Sequence, residues 1–108
     1  MTDPRDIKWL DPWIPESDED GLLAKELRRE VCDRHILFGI NVQAVGRRID
    51  CDDVLFISDD SQKPIAVVHL TWQIESDPTW PITRIFSGWQ DWIEHCLMSD
   101  HNEYTDDE

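Results

Sequence analysis

The chain has 108 residues and a formal net charge of −14, with 40% hydrophobic and 31% charged residues. That length fits one domain with a modest core, and that composition is globular rather than disordered. A polyanion is repelled by nucleic acid and by anionic membranes, so neither is expected as a partner.

The acidity is uneven. Residues 1–20 and residues 100–108 each carry −5, and the stretch between them only −4. The basic groups Lys25, Arg28, Arg29 and Arg47, Arg48 are interleaved with acids, which weakens them as phosphate contacts. Cys32, Cys51 and Cys96 are odd in number and lack C-x-x-C spacing, which fits neither a disulfide framework nor a zinc knuckle. The opening residues lack the basic, apolar and small-residue pattern of a signal, and no apolar run approaches membrane length. A cytoplasmic protein with reduced thiols is the expectation.

Residues 1–16 read as an irregular arm, because Pro4, Pro12 and Pro15 interrupt any helix or central strand. Part of this arm, which carries Ile7, Trp9, Leu10, Trp13 and Ile14, is expected to lie across the domain, the alternative being a linear motif that docks onto another protein. A helix follows, with Ser17 as N-cap and Asp18, Glu19 and Asp20 facing the positive end of its dipole. Leu23, Leu27 and Val31 recur at a spacing of four, and the helix is expected to run to about His35. Glu26 and Glu30 read as exposed partners of Lys25, Arg29 and Arg34, worth little.

Three strands come next, over residues 42–48, 54–57 and 65–72. The apolar run at 54–57 suggests burial on both faces. The turn at residues 59–62 makes the second and third strands an antiparallel hairpin. Residues 73–82 form a loop marked by Asp77-Pro78 and Trp80-Pro81, where an aromatic residue before proline raises the share of the cis peptide but leaves trans the majority form. Thr83–Phe86 reads as a short edge strand. Ser87 caps a second helix, with Gln90 three residues on in a capping-box arrangement. Trp89, Trp92, Ile93, Cys96 and Leu97 give that helix one apolar face. Residues 100–108 read as an acidic, flexible tail. The fold class is α+β: a single domain over residues 17–99, in the order α-β-β-β-(β)-α, whose antiparallel sheet is covered by helices on one face.

The chemistry-bearing residues form no recognised catalytic pattern. His69 lies in the third strand, on the face of Val67 and Thr71, and is the acid–base candidate if that face lines a pocket. His35 is accounted for by a helix end. His95, Cys96, Asp100 and His101 match no zinc spacing, so neither a metal nor a cofactor is expected. Cys51 lies between Asp50, Asp52 and Asp53, whose charge raises a thiol's pKa. The pairs Asp52-Asp53 and Asp59-Asp60 are explained by turns and strand ends. No G-x-S-x-G elbow or glycine-rich phosphate loop is present.

Trp89 and Trp92 are assigned to the core, whereas Trp13 and Trp80 are the tryptophans expected to stay exposed. The function expected is a non-enzymatic protein-binding or regulatory module that engages a basic protein partner. Its contacts would be Trp13, Trp80 and the acids Asp100, Glu103, Asp106, Asp107 and Glu108. The alternative is a small enzyme or ligand-binding domain, with a pocket near His69 between the sheet and loop 73–82.

Overall fold

The computed structural model describes residues 7–106. Its centre is a five-stranded sheet in which each strand pairs, antiparallel, with its neighbour in sequence. The strands are β1 (Trp13–Pro15), β2 (Val42–Arg48), β3 (Asp53–Ser58), β4 (Ile65–His69) and β5 (Thr83–Phe86). Helix α1 (Leu22–Glu30) connects β1 to β2. After β5 the chain enters a helical run made of α2 (Trp89–Trp92), a π-helical turn (Ile93–Leu97) and α3 (Met98–Asp106). The α+β class and the antiparallel sheet are as the sequence implies.

Successive side chains of a strand point to opposite faces, and β3 and β4 are apolar at nearly every position. Leu55, Ile65 and Val67 therefore pack with Trp13, Trp92 and Leu97. Val54, Phe56, Ala66 and Val68 pack with Ala24, Leu27 and Leu37 on the other side. The two helical regions thus cover opposite faces instead of sharing one. A sheet that is apolar on both sides needs two covering layers, because either face left bare would hold strand side chains in water.

The arm read as irregular supplies the first strand. β1 pairs with β2 in the register Trp13↔Arg48 and Pro15↔Gly46. Pro15, which lacks an N–H donor, is tolerated there because β1 is an edge strand. Trp13, expected at the surface, is 0% exposed. It meets Trp92 edge-on, with ring centroids 5.5 Å apart, and Trp9 and Trp89 meet the same indole at 5.7 and 5.8 Å. Gly46 lets this cluster close over β2: a Cβ there would lie 2.6 Å from the Trp9 ring.

Both helices start differently from the reading of their caps. Gly21, with φ 66°, takes the left-handed conformation that turns the chain into α1. Asp18, not Ser17, covers the free N–H groups, accepting from Leu23 at 3.1 Å and Ala24 at 3.4 Å. Asp91, not Gln90, reaches back to the Ser87 N–H at 2.9 Å. Helix α1 stops at Glu30, short of His35, and the chain expected to be a flexible tail from Asp100 continues as α3.

Candidate functional site

Strand β4 stops at His69, three residues earlier than its apolar pattern suggests, and Trp72 beyond it adopts a positive φ of 62°. A tryptophan in that conformation is strained and must be held by its surroundings. The holding group is Glu30, at the end of α1. One oxygen of its fully buried carboxylate accepts from the Thr71 N–H at 2.9 Å and the Thr71 hydroxyl at 3.1 Å; the other accepts from the Trp72 N–H at 2.9 Å. Its backbone carbonyl also accepts from the Glu75 N–H at 3.0 Å. Burial and the neighbouring Glu26 push the Glu30 carboxyl above its ordinary pKa, against the pull of these donors. Arg29 holds Glu26 itself low. Glu30 is therefore an internal anchor and not an exposed ion-pair partner.

His35 fixes the far end of the same loop. It is buried in the turns after α1 rather than sitting at a helix end. Its Nδ1 accepts from the Leu37 N–H at 3.0 Å, so its Nε2 carries the proton and donates to the Pro81 carbonyl at 2.9 Å. The Trp80–Pro81 peptide is cis, the form that the sequence makes the less common one. Between the anchors, Asp77 closes a tight turn by accepting from the Thr79 N–H at 2.8 Å. From this pinned backbone four large apolar side chains stand in solvent: Trp72 51% exposed, Ile74 74%, Trp80 41% and Ile82 41%.

Beside the loop lies an open cleft of about 410 Å³, lined by Asp53, Val67, His69, Trp80, Ile82 and Arg84. Asp53 and His69 are direct partners across β3 and β4, which places His69 Nδ1 2.7 Å from Asp53 Oδ1. Arg84 approaches the other carboxylate oxygen at 3.9 Å. The sequence indicated this place, between the sheet and loop 73–82, but not the acid that serves His69. Cys51 also comes close to the pair. Burial, and then the Asp53 charge, push its thiol above the ordinary value, which disfavours a free thiolate nucleophile.

The other expected site residues are dispersed. Asp100, expected as a surface acid, is buried; it accepts from Trp13 Nε1 at 2.8 Å and pairs with Arg48 at 3.3 Å. Arg48 also makes a two-point contact with Asp50. Cys96 lies in the core 3.4 Å from Asp100, and burial pushes its thiol up to about 12. His95 turns to Asp91 at 2.8 Å, and His101 to the Asp11 carbonyl at 2.7 Å. Glu103 is exposed on α3. Asp107 and Glu108 lie outside the described residues, as does the side chain of Asp106. Of the basic groups, Arg29 is paired to Glu26, Arg47 to Glu16 and Arg48 to two aspartates.

Asp100 therefore joins the C-terminal helix to β1 and β2, and Asp100→Asn should lower stability by about 2 kcal/mol. Equilibrium unfolding in urea measures this, and an unchanged midpoint would show that the carboxylate charge, and with it the Arg48 pair, contributes nothing.

Comparison with protein-family models, with curated proteins and with solved structures gives no match to this chain. No helix among the described residues is long and apolar enough to cross a membrane.

Proposed function

We propose that this protein is a non-enzymatic binding module that engages a basic protein partner through the loop of residues 71–82. The observation that carries this reading is the exposure of Trp72, Ile74, Trp80 and Ile82 on a backbone tied down by Glu30 and His35. Interfaces draw most of their energy from a few aromatic and aliphatic anchors. Fixing the loop beforehand removes ordering entropy that binding would otherwise have to overcome. Large apolar side chains held exposed on a fixed backbone are costly to keep in water.

The partner's charge is inferred from the net −14 of the chain. An anionic surface speeds encounter with a basic protein and makes the association sensitive to salt. The same charge disfavours nucleic acid and anionic membranes. Glu103 and the acids at 106–108 act as long-range attraction in this reading, and Trp80 with Ile74 as the contact. The three free thiols are in keeping with a reducing, cytoplasmic setting.

The test uses two baits, the wild-type chain and an Ile74→Ser/Trp80→Ala double variant, each eluted in rising salt. Both side chains are exposed, so the variant should melt with the wild type. The expected result is a basic protein held at low salt by the wild type and released by moderate salt. Once that partner is purified, its affinity for the double variant should be at least about 10-fold weaker. A partner that binds both baits equally, or no partner at all, would overturn the reading.

A further inference from the structure

The geometry points to a second site, beside the docking loop and sharing its cleft: we propose that Cys51, Asp53 and His69 bind one divalent transition metal of the zinc class. The register of β3 and β4 sets Asp53 opposite His69, so the two side chains share one face of the sheet. Cys51 lies two residues before Asp53, and its sulfur comes to the same point. A ligand atom from each residue, Sγ, a carboxylate oxygen and an imidazole nitrogen, lies within 4.8 Å of the other two. Around a tetrahedral ion, with bonds of about 2.0 to 2.3 Å, such atoms sit about 3.3 to 3.8 Å apart. Cys51 and His69 are exposed, so small side-chain rotations close that difference.

The donors select the ion. Thiolate and imidazole favour zinc and its neighbours, whereas calcium and magnesium require oxygen ligands. The 2.7 Å contact between His69 Nδ1 and Asp53 Oδ1 shows that both lone pairs already converge on one proton. The ion takes that proton's place: the hydrogen of the neutral ring moves through solvent from Nδ1 to Nε2, Nδ1 becomes a ligand, and the thiol releases its proton to solvent. One thiolate, one carboxylate and a neutral imidazole then balance a divalent charge. Arg84 lies nearer the second carboxylate oxygen, Oδ2, which leaves Oδ1 for a single metal bond. Three protein ligands leave a fourth position, and two of them, Asp53 and His69, line the open cleft. An open fourth position distinguishes exchange and binding sites from closed structural ones.

Cobalt(II) is the probe, because a cysteine ligand gives it a thiolate-to-metal charge-transfer absorption. Titration of the full, reduced chain should develop that band, saturating at one equivalent, and zinc should displace it. Cys51→Ser should abolish the band, and His69→Gln should weaken cobalt binding at least about 10-fold. His95→Gln is the control, since His95 and Asp91 form a similar pair at 2.8 Å and should leave the titration unchanged. Zinc should raise the melting temperature of the wild type more than that of Cys51→Ser. No band at one equivalent, a band that survives Cys51→Ser, or one lost in His95→Gln would overturn the proposal.

Discussion

Replacing Glu30 by Ala should cost the fold about 3 kcal/mol and release the backbone that follows β4. The buried carboxylate accepts from Thr71 twice and from Trp72 once. Alanine would leave those donors without acceptors and would withdraw the support for the strained φ at Trp72. In a domain of about 100 residues this corresponds to a fall of roughly 15 °C in melting temperature. Hydrogen exchange should show the Thr71 and Trp72 amides losing protection before those of β3. Melting and exchange that match the wild type would show that the loop is held by something else.

The same group predicts a pH dependence. Its folded-state pKa is raised above the ordinary 4.5, so the folded chain binds more protons than the unfolded chain just above that value. The stability it contributes is full below the ordinary value and is lost as pH rises through the folded value. The penalty of Glu30→Gln should therefore be largest in acid and shrink toward neutrality.

Trp92→Ala should have the largest effect, about 4 kcal/mol. Trp92 is fully buried between the sheet and the N-terminal arm, and three other indoles meet its ring. Its removal opens a cavity that Trp9, Trp13 and Trp89 cannot refill without giving up those edge contacts. Because that loss is a large share of a small domain's stability, the urea midpoint should fall steeply. The near-ultraviolet circular dichroism of the ordered indoles should fall with it, whereas Trp92→Phe should retain part of both. A midpoint unchanged in Trp92→Ala would remove the cluster from its central place.

Two of the strands were legible because their signals are local. Val42–Arg48 and Thr83–Phe86 fall where their β-branched and turn residues place them, and the apolar residues from Trp89 to Leu97 mark a helical stretch, though not its π turn. The run at 54–57 even implied two covered faces, which the structure bears out with helices on opposite sides. What could not be read is what the tertiary fold brings together. Trp13 and Asp100 are 87 residues apart, and neither spacing nor charge marks them as partners. Glu30 resembles any acid of an exposed helical face until Thr71 and Trp72 fold over it. His69 had several acids available to it, and only the β3–β4 register selects Asp53. β1 was hidden by its prolines, since three residues ending in Pro15 make a strand only when an edge is free to receive them.

The π-helical turn at Ile93–Leu97 gives the C-terminal helix a phase as well as a length. A π turn amounts to one residue inserted into an α-helix, and one residue rotates everything beyond it by about 100°. The side chains of α3 keep their bearing on the sheet only because this insertion is present. Asp100, which meets Trp13 and Arg48, is among them. The segment is therefore more vulnerable to a change in residue number than to a change in residue type. A deletion that restored a regular helix would preserve helicity while turning Asp100 away from both partners.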